Sequence, residues 1–221
     1  MRAYHFPFDK RLAVKAYVGT TTVGVRLREY VVLGADRRAT TGYYVAHKRT
    51  KKIIKVTDYM AMTTAGLVAD AQMLAEWLKT QASYYELKTG TRMPVSVAAN
   101  LLSTLMFSAR LFPFIVQLIL GGYDEKPKLY NIDPYGMVTE EKYIATGSGL
   151  VVAIGIIEDG YSEDMKVKDA IELVKKAILA SIRRDAFTGN GIDIVVIGKN
   201  MYKEYKFELK LQHMSSSEKN R

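Results

Sequence analysis

The chain has 221 residues, 48% of them hydrophobic and 25% charged, a formal net charge of +9 and no cysteine. That length can bury one sizeable core, and the composition argues against intrinsic disorder over the body of the chain. Without cysteine there is no disulfide framework, no thiolate metal site and no cysteine nucleophile; the positive charge raises nucleic acid as a partner, but the basic residues are dispersed and no nucleic-acid role is expected.

Residues 1–19 have a character of their own, basic and aromatic, with Arg2, Lys10, Arg11 and Lys15 against the single acid Asp9. No apolar core develops between Arg2 and Lys15, which excludes a secretory signal. Residues 20–27 and 30–39 are rich in β-branched side chains and are separated by Arg28-Glu29, which predicts a tight hairpin. Residues 43–47 and 53–65 repeat the pattern on either side of a basic run, His47 to Lys52, that reads as a solvated turn. Together these segments predict an antiparallel sheet early in the chain.

At Gly66 the period changes. Leu67, Ala71, Leu74, Ala75, Leu78 and Ala82 fall on one stripe of a helix over 67–87, which Lys88-Thr89-Gly90 ends. Pro94 suits the first turn of a second helix running to about residue 111. The most apolar stretch, 111–122, contains Pro113 and Gln117 and falls short of the ~20 residues that span a bilayer. Strands are predicted over 116–123, 128–133 and 137–146, with a turn at Asp133-Pro134-Tyr135-Gly136.

After Gly147-Ser148-Gly149 the helical period returns, clearest over 168–184, and strands over 192–198 and 205–211 close a domain that spans 20–211. Residues 212–221 form a polar tail. Strands, a helix pair, strands, a helix pair and strands, in that order, predict an α+β fold of four layers, an α/β/β/α sandwich. The three histidines, His5, His47 and His213, lack metal-ligand spacing, so no metal or other cofactor is expected. A soluble, cytoplasmic protein without a membrane partner is expected.

The run Thr20-Thr21-Thr22 has a plain reading, since threonine favours strands. A second reading starts from Gly19. A cut between Gly19 and Thr20 would leave a threonine at a new terminus, carrying a hydroxyl nucleophile and an α-amine of ordinary pKa ~7.7–8.0 that can act as its base. While the amide is intact that nitrogen cannot accept a proton, so the uncut chain would be inert.

Six segments decide between these readings: Gly19-Thr-Thr-Thr-Val-Gly24, Gly34-Ala-Asp-Arg-Arg-Ala-Thr40, His47-Lys48 with Lys51-Lys52-Ile53, Thr64-Ala-Gly-Leu-Val-Ala-Asp70, Thr146-Gly-Ser-Gly149 and Arg184-Asp185. In order and spacing the chain resembles proteasome β subunits, most closely the archaeal kind, from Gly19 to about Lys199. The resemblance implies the N-terminal-nucleophile hydrolase fold, the same four-layer sandwich. It implies a threonine endopeptidase of the 20S core particle, with a propeptide of residues 1–19 removed by self-cleavage at Gly19-Thr20. Thr20 would be the nucleophile, Asp36 and Lys52 a buried pair beside it, and Gly66 the backbone donor to the oxyanion. Ser148 and Asp185 would orient the Thr20 amine.

Where the family usually has serine, this chain has Thr188, which keeps the hydroxyl and adds a methyl group. Thr40 resembles a residue whose backbone pairs with extended substrate. Ala39, Thr50, Ile54, Thr64 and Val68 resemble the lining of the substrate pocket, and since none is charged, cleavage after apolar residues is expected. The implied partners are α subunits and other β subunits in stacked seven-membered rings, a regulatory ATPase, and unfolded protein substrates. The residues by themselves leave other roles open: Lys52 as a turn lysine, Asp36 paired with Arg37 or Arg38, Ser148 as a helix N-cap, Asp185 as a helix-end acid. A non-catalytic or slowly processed structural subunit of the same ring is the alternative for the whole chain.

Overall fold

The computed structural model describes residues 19–209, so the predicted propeptide up to Val18, the polar tail and the end of the last predicted strand at Leu211 lie outside the described residues. Two five-stranded antiparallel sheets form the centre. In the first, β1 (Thr22–Arg26) and β2 (Tyr30–Asp36) make the predicted hairpin across Arg28-Glu29. β10 (Tyr143–Thr146) flanks β1, while β11 (Ile192–Gly198) and β12 (Met201–Phe207) extend the sheet beyond β2, giving the order β10-β1-β2-β11-β12. In the second, β5 (Ile53–Thr57), β6 (Met60–Gly66), β7 (Val116–Tyr123), β8 (Pro127–Ile132) and β9 (Val138–Glu140) lie in chain order. β3 (Ala39–Thr41) and β4 (Tyr44–His47) form a separate hairpin.

Three apolar clusters define the layers. The helices α1 (Val68–Thr89) and α2 (Val95–Ser108) cover the second sheet through Leu74, Leu78, Leu102 and Met106 packed on Met62 and Leu118. The helices α3 (Leu150–Gly160) and α4 (Val167–Arg184) cover the first through Ile157, Val174 and Ile178 packed on Val23, Val25 and Ile194. Between the sheets lie Val31, Leu33, Ile119, Leu129 and Val195. Strand alternation thus sends Val23 and Val25 to the helices and Val31 and Leu33 to the facing sheet, which produces the predicted α/β/β/α order.

Four predicted elements differ. The single strand over 53–65 is the hairpin β5–β6, reversed at Asp58-Tyr59, where the Lys55 ammonium pairs with the Asp58 carboxylate; an aspartate turns a chain without the glycine or proline that would announce it. The strand over 137–146 is two strands in different sheets, so the chain crosses layers at Glu141-Lys142. The early strands likewise divide among the first sheet, the separate hairpin β3–β4 and the second sheet instead of forming one sheet. The last strand begins earlier, at Met201, because Asn200 takes a left-handed conformation (φ 54°) that reverses the chain after β11.

Candidate active site

Thr20 precedes β1 at the edge of the cleft between the sheets and is 6% exposed. Its hydroxyl donates to the carbonyl oxygen of Gly19 at 2.6 Å, and the Lys52 ammonium donates to the same oxygen at 3.3 Å. Gly19 Cα–C=O, the Thr20 hydroxyl and a buried cation therefore meet at one peptide bond.

Lys52 is the inner end of the basic run. Lys48, Arg49 and Lys51 are exposed as a turn requires, but Lys52 stands directly before β5, where its carbonyl accepts from the Thr64 amide at 3.0 Å, and the strand carries its side chain inward to 3% exposure. The solvated-turn reading fails at this one residue. The ammonium is held by Asp36 Oδ1 at 2.7 Å. Burial pulls the Lys52 pKa below the usual lysine range, and the Asp36 charge opposes that pull without cancelling it.

Asp36 ends β2 and is fully buried. Its Oδ1 also accepts the Thr21 amide at 3.0 Å; its Oδ2 accepts the amides of Arg38 at 3.0 Å and Gly189 at 2.9 Å. Four donors compensate a buried carboxylate, so the pair with Arg37 or Arg38 side chains is not needed. Arg37 turns instead to Asp193, and Arg38 to Asn190 and the carbonyl of Ala186.

On the nitrogen side, the Thr20 amide donates to Ser148 Oγ at 3.2 Å, and Ser148 Oγ donates to Asp185 Oδ2 at 2.6 Å. Ser148 does not cap α3, whose N-cap is Gly149. Asp185 follows the last turn of α4 and accepts the Thr188 hydroxyl at 2.5 Å on the same oxygen. Thr188 is fully buried, and its extra methyl is accommodated with the hydroxyl still aimed at Asp185.

Gly66 ends β6 at φ +134°, where a Cβ would stand 2.2 Å from the Ile115 carbonyl oxygen, so only glycine fits. With Gly19 and Thr20 it lines two hollows. One, of about 180 Å³, is lined also by Ala39, Thr40, Thr64 and Val68, with Lys52 and His47. The other, of about 400 Å³ and largely apolar, is lined by Phe114, Ile115, Tyr135, Ser148 and Leu150 among others. Of the predicted pocket residues, Ala39, Thr64 and Val68 meet in the first hollow. Ile54 lines a separate hollow with Gln72 and Glu76, and Thr50 is tied through its amide to the Arg37 carbonyl at 2.9 Å. Among the described residues no group of acids and histidines is placed to hold a metal ion, and no helix is long and apolar enough to cross a membrane.

Reading the sequence missed Gly189, which sends its amide to Asp36 from across the fold, and His47 at the hollow's wall. A glycine directly after Thr188 was the available signal for the first.

Residues 16–197 match the proteasome subunit family model. Over 206 residues the chain is 64% identical to Proteasome subunit beta 2 of Hyperthermus butylicus, covering 93% of this chain and 96% of that protein. Proteins of the same name from Ignicoccus hospitalis and Aeropyrum pernix are 50% and 48% identical, covering 87% and 84% of this chain and 90% and 85% of theirs.

Proposed function

Because the chain belongs to the proteasome subunit family, as an archaeal-type β subunit of the 20S core particle that assembles with other subunits in rings, we propose that it is a threonine endopeptidase of that particle. The observation that carries this reading is the convergence on Thr20 of two sets: Lys52 with Asp36 at the Gly19 carbonyl, and Ser148 with Asp185 at the Thr20 nitrogen.

The first reaction is on the chain itself. Thr20 Oγ attacks the Gly19 carbonyl carbon, the C–N bond breaks as an ester forms, and the hydroxyl proton passes to the departing Thr20 nitrogen. Water then hydrolyses the ester, releasing residues 1–19 with a carboxylate on Gly19 and leaving Thr20 with a free amine. In later turnovers that amine takes the hydroxyl proton, Lys52 stabilises the developing alkoxide, and Gly66 N–H serves the oxyanion. The acyl part of an unfolded substrate lies in the hollow of Ala39, Thr40, Thr64 and Val68, with extended backbone beside Thr40; the apolar walls favour cleavage after apolar residues. The chain works in stacked seven-membered rings with α subunits, fed by a regulatory ATPase.

The test is the intact mass of this chain from particles assembled with α subunits, alongside a Thr20→Ala variant. Loss of residues 1–19 from the parent and retention in the variant, with peptide hydrolysis lost in the latter, is the expected result. A parent that keeps residues 1–19 in complete particles is a structural subunit.

A further inference from the structure

Thr21 has no role in the reaction described above, yet, like Thr20 before it, it touches both halves of the site. Its amide donates to Asp36 Oδ1, the oxygen that holds Lys52. Its hydroxyl lies 2.7 Å from that of Thr188. Both side chains are wholly buried. Proton counting fixes the direction of that contact. The single Thr188 proton goes to Asp185 Oδ2, so Thr188 Oγ1 accepts, and Thr21 donates. From the other side the Ser148 proton reaches the same Asp185 oxygen, so Ser148 accepts from the Thr20 nitrogen. The chain of donors therefore runs from Thr21 through Thr188 to Asp185, and from Thr20 through Ser148 to Asp185, closing a ring through the peptide bond that joins Thr20 to Thr21.

The Gly147-Ser148-Gly149 segment is shaped around this ring. A Cβ on Gly149 would lie 2.0 Å from Thr21 Oγ1, and one on Gly147 would lie 2.1 Å from the Thr20 carbonyl oxygen. One glycine clears the backbone of Thr20 and the other clears the hydroxyl of Thr21.

We propose that Thr21 is a positioning residue, whose hydroxyl locks Thr188 and Asp185 so that Ser148 holds the Thr20 nitrogen in register with the Lys52–Asp36 pair. The inference rests on the endopeptidase reading. In that reading the amine freed by cleavage must keep one orientation through every turnover, and a carboxylate with a missing donor can rotate away from it.

The experiment compares parent, Thr21→Val, Thr21→Ser and Gly149→Ala chains in assembled particles, with activity expressed per propeptide-free site counted by mass. Thr21→Val is expected to lower kcat about 10- to 100-fold with KM within about twofold, a loss of transition-state geometry alone. The acidic limb of its pH–rate profile is expected to move, because the amine loses its fixed neighbour. Thr21→Ser restores the donor and recovers most of kcat and the parent profile; Gly149→Ala behaves like Thr21→Val. If Thr21→Val keeps the parent kcat and pH profile, or Thr21→Ser is as impaired as Thr21→Val, the inference falls while the endopeptidase reading stands. A parent particle that hydrolyses nothing overturns both.

Discussion

The Lys52 ammonium and the Asp36 carboxylate meet at 2.7 Å with almost no access to water, and among the described residues each is the other's only opposite charge at that distance. Removing either partner strands a charge in the interior, a loss typically of 3–5 kcal/mol. Asp36→Asn is therefore expected to destabilise the subunit on that scale and to abolish propeptide removal. Lys52→Ala is expected to cost several orders of magnitude in hydrolysis. Denaturation midpoints and intact mass check the first, peptide turnover the second; a Lys52→Ala particle with near-parental turnover contradicts the assignment.

The same burial sets a pH dependence. Lys52 gives up its proton below the usual lysine range, so turnover is expected to fall on the alkaline side earlier than an exposed lysine would allow. On the acidic side turnover rises as the Thr20 amine, ordinarily of pKa ~7.7–8.0, loses its proton and can act as base. For stability the sign is opposite to that of a lysine strengthened by its partner. Between the lowered folded value and the usual one the unfolded chain holds the extra proton, so stability rises with pH across that window. A rate profile flat through the lysine range, measured on assembled particles, refutes the role given to Lys52.

Thr64 is 4% exposed, and its hydroxyl makes no hydrogen bond among the described residues although it borders the smaller hollow beside Thr20. Thr64→Val keeps the shape and removes a buried polar group without a partner, so it is expected to raise stability by about 1 kcal/mol. It is also expected to turn cleavage further toward aliphatic residues, as read from mass mapping of the products of an unfolded protein. A drop in stability would mean that the hydroxyl is satisfied in the assembled particle.

A second hydroxyl cluster lies on the opposite face of β1 from Thr21. Thr22 Oγ1 is 2.6 Å from Thr146 Oγ1 and accepts from Thr63 at 3.0 Å, joining the two sheets just below the site. Thr22→Val leaves both neighbours without their shared partner and is expected to cost about 2 kcal/mol; replacing all three threonines by valine is expected to cost less than that single change. Thermal midpoints of the two variants decide it.

The layers were legible because the patterns are clean: a short, nearly continuous apolar run in β11, whose predicted bounds hold, and the three-and-four spacing of α4. The hairpin of β5 and β6 was not, since Asp58-Tyr59 reverses the chain with no glycine or proline, and the crossing at Glu141-Lys142 is as silent. In the site, Gly66 announced itself by ending a strand. Lys52 did not by its own surroundings: it ends a run of five other polar residues, His47 to Lys51, and the pairing of its carbonyl with the Thr64 amide turns this lysine inward. Thr50 and Ile54, named with the pocket by resemblance, lie apart from the first hollow in the chain taken singly.

The alternation of Thr20, Thr21 and Thr22 has a consequence for accuracy. Successive side chains of an extended segment point to opposite faces, so the hydroxyl of Thr21 meets Thr188 while that of Thr22 meets Thr63. A slip of one residue would exchange the two sets and bring a different peptide bond to Lys52. On the endopeptidase reading proposed above, the place of the cut follows from the pairing of β1 with β2 and β10 and not from the letters that precede it: an altered propeptide that still ends in Gly19 is expected to be trimmed at the same bond, whereas a single residue inserted between Thr20 and Val23 is expected to spoil the cut however faithful the propeptide.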